Sequence, residues 1–223
     1  MNKILSAKKL NIYYKKGLLS KDKKYIIKNF NFEIGNNQLI GLTGESGKGK
    51  TTLGKTLLGL HRYYEGEIYW RNDLLNNKTI RNLRTKYTWL GQEPFLMFNP
   101  NKKIIFVLKE TLKVIYKDKY NNEDMNELLK AQCSLFKLEP TLLDRYPFEL
   151  SAGQIQRFAL IRNFLVKPDF IVLDEPISSL DPYNSNLFLD IIEQYLNENI
   201  ISILLISHKK TLLKNITDNI IEL

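Results

Sequence analysis

The sequence predicts an α/β fold: a mostly parallel sheet flanked by helices, with an N-terminal antiparallel β subdomain and an inserted helical subdomain. Three short apolar runs, at 38–43, 170–173 and 200–206, are typical of parallel strands buried on both faces. A helical pattern at 185–196 lies between the last two runs, where a crossover helix is needed. Residues 93–160 have mostly helical patterns, and this interruption predicts the inserted subdomain.

The remaining elements follow in order along the chain. Phe30, Phe32 and Ile34 alternate as in a half-buried strand, and a turn at 35–37 leads into the first apolar run. Short strands are predicted at 67–70 and 87–90, and helices at 51–60, 123–138 and 150–166. We therefore expect one domain over 1–223, with 1–92 and 161–223 forming the core and its β subdomain and 93–160 forming the helical subdomain.

Composition favours a globular protein, since 43% of the 223 residues are hydrophobic and 11% are aromatic. The single cysteine, Cys133, excludes an internal disulfide and lies in an apolar series that favours a buried small side chain over a nucleophile. The N-terminus lacks the apolar core of a signal peptide, and no stretch has the length of a membrane span. We expect a soluble, cytosolic protein.

The net charge of +9 is concentrated near the N-terminus. Residues 1–28 hold nine lysines against one aspartate, so the rest of the chain is close to neutral. Such a segment could contact nucleic acid or an anionic membrane face, but a solvated lysine-rich edge is the favoured interpretation. The lysines are Lys3, Lys8, Lys9, Lys15, Lys16, Lys21, Lys23, Lys24 and Lys28.

A glycine-rich loop after the first apolar run has the spacing of a phosphate-binding loop. Residues 44–51 read GESGKGKT and fit G-x-x-x-x-G-K-[ST] between a predicted strand and a predicted helix, which indicates a P-loop NTPase core. The glycines let backbone N–H groups converge on phosphate oxygens, while Lys50 is expected to reach the β and γ phosphates and Thr51 to bind Mg²⁺. The expected nucleotide contacts are Gly44, Glu45, Ser46, Gly47, Lys48, Gly49, Lys50, Thr51 and Thr52.

Two carboxylates end the apolar run at 170–173. Asp174 is expected to support Mg²⁺ at the carboxyl edge of a parallel sheet, and Glu175 to polarise an attacking water. Two acidic residues at a strand end could equally form a solvated turn, and it is their pairing with the P-loop that favours catalysis.

The string LSAGQ at 150–154 resembles the signature of ABC ATPases, usually written LSGGQ. Other motifs of that family appear in order over nearly the whole chain. Gln92 resembles the Q-loop glutamine, Asp181 lies in a string similar to the D-loop, and His208 resembles the switch histidine. Tyr14 occupies the place of the aromatic residue that stacks on adenine, and neighbouring Tyr13 is the less favoured choice.

This resemblance implies an ATP hydrolase with Glu175, His208 and Gln92 as catalytic residues and Mg²⁺ held through Thr51, Gln92 and Asp174. It also implies a head-to-tail dimer with a second ABC ATPase, either a copy or a paralogue. Membrane permease subunits and, indirectly, an extracytoplasmic substrate-binding protein complete the assembly at the cytoplasmic face of the membrane. The signature residues that would contact the partner-bound ATP are Ser151, Ala152, Gly153 and Gln154.

Two longer strings resemble the ATPases of nickel, dipeptide and oligopeptide importers. They are QEPFLMFNP at 92–100 and RYPFELSAGQIQR at 145–157. Peptide-importer ATPases of this group commonly continue beyond the point where this chain stops, so the compact form favours import of nickel or a metal chelate, with peptide import as the alternative. The cargo would cross the membrane through the permease and would not bind to this chain. His61 and His208 are wrongly spaced to form a transition-metal centre here.

Two positions depart from the family pattern. Ala152 replaces the first signature glycine, and Lys48 lies where the P-loop usually has a small residue. An ABC ATPase acting on nucleic acid is supported only by the basic N-terminus, and the chain lacks the long coiled coils of such proteins, so no nucleic acid partner is expected. A P-loop kinase or GTPase is opposed by the signature and by His208.

Overall fold

The computed structural model describes residues 3–15 and 22–223, so Lys16 and Lys21 of the basic segment lie outside the described residues. Contacts divide the chain into two compact units. The first comprises Met1–Trp89, Asp169–Glu175 and Glu198–Leu223, and the second Leu90–Pro168 and Pro176–Asn197. The boundaries predicted for the helical subdomain, 93–160, remain a prediction. Residues 93–160 all lie within the second unit, which also includes 90–92, 161–168 and 176–197.

The strands are β1 (Lys3–Lys15), β2 (Lys23–Gly35), β3 (Leu39–Thr43), β4 (Tyr64–Trp70), β5 (Asp73–Leu74), β6 (Tyr87–Leu90), β7 (Phe170–Asp174), β8 (Ser202–Ile206) and β9 (Ile220–Glu222). The α-helices are α1 (Lys50–Leu57), α2 (Asn77–Leu83), α3 (Ile104–Tyr116), α4 (Asn122–Leu135), α5 (Ala152–Phe164), α6 (Pro182–Glu198) and α7 (Lys210–Lys214). Short 3₁₀ turns lie at Pro94–Met97, Lys117–Lys119, Pro140–Asp144 and Pro147–Glu149.

A five-stranded sheet in the order β6-β7-β8-β3-β9 forms the centre of the first unit. β3 runs parallel to β8 and β9, and β7 runs parallel to β8. Every residue of β3, β7 and β8 is buried, as their apolar runs predict. Because parallel strands end at the same edge, the residues that follow β3, β7 and β8 lie near one another. The predicted α/β class is confirmed.

An antiparallel sheet in the order β2-β1-β4-β5 completes the first unit. Its buried side contributes Leu5, Leu10 and Trp70 to the core, where the Trp70 ring stacks on Tyr87 with centroids 4.1 Å apart. Burial raises the pKa of the Tyr87 phenol, whose hydroxyl donates to the Ile4 carbonyl oxygen. All seven described lysines of the basic segment are exposed, as expected for a solvated edge.

The second unit is helical, and α5 is buried along most of its length. The rings of Phe164 and Tyr195 stack in its core at 3.8 Å between centroids, with Phe136 packed against both. Cys133 is fully buried, and burial raises the pKa of its thiol to about 11, which fits the expectation of an unreactive small side chain.

Across residues 3–15 and 22–223, no helix has both the length and the apolar character needed to cross a membrane.

Candidate nucleotide site

The glycine-rich loop lies between β3 and α1, as its spacing predicts. Gly49 caps α1 with a φ of 94°, and a Cβ at this position would lie 2.7 Å from Ile26 Cγ2. Only glycine therefore fits both the left-handed backbone and the available space. The buried Lys50 reaches back across the loop, where its Nζ donates to the carbonyl oxygens of Gly44 at 2.8 Å and Glu45 at 3.0 Å.

Thr51 and Asp174 meet at the carboxyl end of β7. The Thr51 hydroxyl lies 2.9 Å from Asp174 Oδ2 and 3.1 Å from Oδ1. Burial raises the pKa of the Asp174 carboxyl, and the hydrogen bond from Thr51 opposes that rise. A hydroxyl and a carboxylate are hard oxygen ligands, so this donor pair fits the Mg²⁺ site predicted from the sequence.

Glu175 and His208 form a second contact at the same edge of the sheet. Glu175 Oε1 accepts from the His208 backbone N–H at 3.0 Å, and Oε2 lies 2.8 Å from His208 Nδ1. The Glu175 backbone N–H donates to the Ile206 carbonyl oxygen at the end of β8. The backbone φ of Glu175 is 51°, which is unusual for a residue with a side chain. These bonds hold the carboxylate in one orientation, which a residue that positions an attacking water requires.

Tyr14, the predicted adenine-stacking residue, lies at the end of β1. Its hydroxyl is 3.0 Å from Thr52 Oγ1, so the ring is tied to the first turn of α1. His61 packs edge-on against the Tyr14 ring, with centroids 5.2 Å apart, while its Nε2 lies 3.2 Å from the Tyr13 carbonyl oxygen. Tyr14 remains 47% exposed, which leaves part of the ring accessible for stacking. Sequence reasoning missed His61 as its support.

The signature forms the start of α5 in the second unit. Ser151 is the N-cap, its Oγ accepting from the Gln154 N–H at 3.3 Å while the Ser151 N–H donates to Gln154 Oε1 at 2.9 Å. This reciprocal cap orders the first turn of α5. Ala152 is exposed, so its extra methyl group meets no obstacle within the second unit.

Gly153, by contrast, is buried against Asn184 of α6. A Cβ on Gly153 would lie 2.5 Å from Asn184 Oδ1 and 2.8 Å from its Cγ. The second signature glycine is thus required by packing, whereas the first position tolerates a side chain within this chain.

Asp181 has a structural role at the start of α6. Its carboxylate accepts from the Asn184 backbone N–H at 2.9 Å and from Asn184 Nδ2 at 2.6 Å, and these bonds lower the pKa of the Asp181 carboxyl. Asn184 was not predicted, although an aspartate before a proline, followed by a polar residue three positions on, is a helix-start pattern. Asn184 therefore connects the D-loop aspartate to the signature glycine.

The described structure divides the predicted site residues between the units. Tyr14, the P-loop, Asp174, Glu175 and His208 belong to the first unit and form a chain of contacts. Gln92, exposed in the loop after β6, belongs to the second unit with the signature and Asp181.

The Lys48 ammonium lies 3.6 Å from the exposed Glu45 carboxylate, a surface pair that contributes little to stability. Among the described residues, there is no group of three or more histidine, cysteine or acidic residues that could hold a metal.

The family model that matches this chain is described as ABC transporter, and the match covers residues 27–178. The oligopeptide transport ATP-binding protein OppF of Streptococcus mutans is 33% identical over 221 residues, which span 98% of this chain and 71% of that protein. The dipeptide transport ATP-binding protein DppF of Haemophilus influenzae is 32% identical over 97% of this chain and 68% of its own length.

These relatives do not support the expectation of nickel or metal-chelate cargo, and they favour the peptide alternative. The preference for nickel used chain length, yet OppF aligns with 98% of this chain while being the longer protein. A chain of this length therefore still matches a peptide-transport ATP-binding protein over nearly all of its residues.

Solved structures share the fold at lower sequence identity. The dimeric MJ0796 structure, described as a bacterial ABC transporter cassette, superposes with a TM-score of 0.86 at 23% identity and covers 98% of this chain and 94% of that chain. A post-hydrolysis structure of the same cassette with ADP and Pi superposes with a TM-score of 0.82 at 22% identity, covering 97% and 96% of the two chains. The predicted resemblance is confirmed, and the chain belongs to the ABC transporter family as an ABC-type ATPase.

Proposed function

We propose that this chain is the ATP-binding subunit of an importer and that its ATP hydrolysis drives uptake of oligopeptides or dipeptides. The observation that carries the proposal is the identity of 32–33% to peptide-transport ATP-binding proteins along nearly all of this chain. The strings at 92–100 and 145–157, which resemble the same group, support it.

Within the first unit, Lys50 would bind the β and γ phosphates, and Tyr14 would stack on adenine. Thr51 and Asp174 would hold Mg²⁺, which would neutralise charge on the phosphates. Gln92 is a third ligand only as the family resemblance implies. The contact between Thr51 and Asp174 supports this role because it places two oxygen donors together beside the P-loop.

Glu175 would orient and polarise the attacking water, while His208 would keep the carboxylate in place and contact the γ-phosphate. The two hydrogen bonds from His208 to Glu175 support this assignment. An imidazole that contacts Glu175 through Nδ1 has Nε2 on its other side, where that atom is available for a phosphate group.

The signature would act on ATP held by a second ABC ATPase in a head-to-tail dimer. Ser151 and the Gly153 backbone lie at the start of a 13-residue helix, where unpaired N–H groups and the helix dipole favour a phosphate. The dimer would associate with membrane permease subunits at the cytoplasmic face, and an extracytoplasmic binding protein would supply the peptide. Gln92 would link the nucleotide to the permease.

The test is to purify the chain with its partners from the native membrane and to identify the ligand retained by the binding protein by mass spectrometry. We expect permease subunits, a second ABC ATPase and a bound peptide. In reconstituted vesicles, binding protein loaded with peptide should stimulate ATP turnover, with the Glu175→Gln complex as the matched control. Retained nickel, or turnover that responds to DNA and ignores the permease, would contradict the proposal.

A further inference from the structure

The segment after Gln92 contributes little to the core by its own side chains. Within the 3₁₀ turn Pro94–Met97 no residue is buried, and Leu96 is 77% exposed. Two backbone hydrogen bonds, from Leu96 to Glu93 and from Phe98 to Phe95, close the turn. Only at Phe98 does the chain enter the core again. Contacts from elsewhere in the second unit must therefore hold this segment in place.

Arg162 of α5 makes that contact. Its guanidinium donates to the Met97 carbonyl oxygen, at the end of the turn, and its Nε donates to Thr111 Oγ1 of α3 at 3.3 Å. Asn163, next along α5, adds a weak contact from its Nδ2 to Met97 Sδ at 3.8 Å. One planar side chain thus joins the turn, α3 and α5, and a guanidinium has the several fixed donors that such a junction needs.

α5 also carries the signature at its start. Arg162 lies eight residues after Gln154 on this helix, which corresponds to about 12 Å along the helix axis. Because α5 is buried along most of its length, a group fixed to one end has a defined position relative to the other. The segment with Gln92 and the signature are therefore fixed to the same rigid element.

We propose that Arg162 is a positioning residue for ATP hydrolysis: through the Met97 carbonyl it fixes the segment that carries Gln92 to the signature helix. The inference rests on the proposed roles of Gln92 and the signature. Arg162 does not touch the nucleotide in this account. It acts by restricting the positions that the Gln92 side chain can adopt, so that Gln92 can perform the Q-loop role proposed for it.

The test compares Arg162→Met, which keeps an unbranched apolar side chain and removes the donors, with Arg162→Lys, which keeps one charged donor group. Lys113→Met on the exposed side of α3 is the matched control. Amide hydrogen exchange at Leu96 and Phe98 reports the turn itself. We expect exchange there to rise about tenfold in Arg162→Met, with α5 unchanged and Lys113→Met like the wild type.

Steady-state kinetics supply the second readout. In Arg162→Met we expect kcat to fall about fivefold to tenfold while KM for ATP stays within about twofold, with Arg162→Lys in between. Unchanged exchange at Leu96 and Phe98, or a fall in kcat that only matches the unfolded fraction, would overturn the inference. Should Arg162→Met not fold, the same two readouts on Arg162→Lys decide the question.

Gln92→Ala separates this inference from the role proposed for Gln92. Full turnover in Gln92→Ala would remove the Q-loop role, while the exchange measurement would still test whether Arg162 holds the turn. Normal exchange in Arg162→Met with impaired turnover in Gln92→Ala would remove the Arg162 role alone.

Discussion

Replacing Gly153 by alanine tests the packing of the signature against α6. The added Cβ would lie 2.5 Å from Asn184 Oδ1, and the Asn184 side chain cannot move away without disturbing the hydrogen bond that its Nδ2 donates to Asp181. Overpacking of this kind costs ~1–3 kcal/mol. Loss of the exposed side-chain bond to Asp181 adds a small further cost, while the gain in helix propensity from glycine to alanine returns ~0.5–1 kcal/mol.

The net expectation for Gly153→Ala is a loss of about 1–3 kcal/mol in the free energy of unfolding. For a chain of this size that corresponds to a fall in Tm of roughly 3–10 °C in a thermal denaturation experiment. The neighbouring Ala152→Ser adds one atom at an exposed position and should change stability by no more than about 0.5 kcal/mol.

A double-mutant cycle isolates the contact. In the Asn184→Ala background, Gly153→Ala should cost about 1–2 kcal/mol less, because the clashing atoms are gone. A Gly153→Ala protein with the Tm of the Ala152→Ser control, or a penalty that is the same with and without Asn184, would refute the packing argument.

Three further changes test separate parts of the account. Lys50→Ala should abolish ATP binding in a titration, and retained micromolar affinity would contradict the P-loop role. Ser151→Arg should leave ATP binding to the chain's own P-loop intact but stop turnover in the dimer, so loss of binding would count against a signature that acts on the partner. Gln156 is 1% exposed, and its Nε2 has no acceptor among the residues described, so Gln156→Met should be neutral or raise unfolding free energy by about 1 kcal/mol in urea denaturation. A clear loss of stability would reveal an acceptor for that amide.

The sequence predicts the elements whose signals are local. Continuous apolar runs predicted β3, β7 and β8, because strands buried on both faces need such residues at every position. The P-loop, the acidic end of β7 and the start of α5 follow from motifs with fixed spacing. The candidate residues in these motifs were therefore identified from the sequence alone. The contact between Glu175 and His208 was not predicted, and it arises because β7 and β8 are neighbouring parallel strands that end at the same edge.

Helix boundaries were less accurate because they depend on caps. The helix predicted at 185–196 begins at Pro182, since Asp181 caps it and proline suits the first helical position. The helix predicted at 123–138 ends at Leu135, two residues before Lys137 adopts a positive φ. Each difference has a local cause that apolar spacing alone does not report.

Contacts between distant side chains could not be predicted. Asn184 occupies the space beside Gly153, 31 positions earlier in the sequence, and Arg162 donates to the carbonyl oxygen of Met97, 65 positions earlier. Neither pair has a periodic or motif signal. Such pairs are determined by how helices pack, and packing is a property of the whole unit. His61 behind Tyr14 belongs to the same class.

Glu175→Gln tests the central claim most directly, because the amide keeps the shape of the side chain and removes its basicity. With ATP and Mg²⁺, we expect nucleotide affinity within about threefold of the wild type, turnover lower by at least about a hundredfold, and an ATP-dependent dimer in sedimentation. The measurement is phosphate release by the purified variant together with its sedimentation coefficient. Normal phosphate release from a monomer would contradict both the role of Glu175 and the shared site.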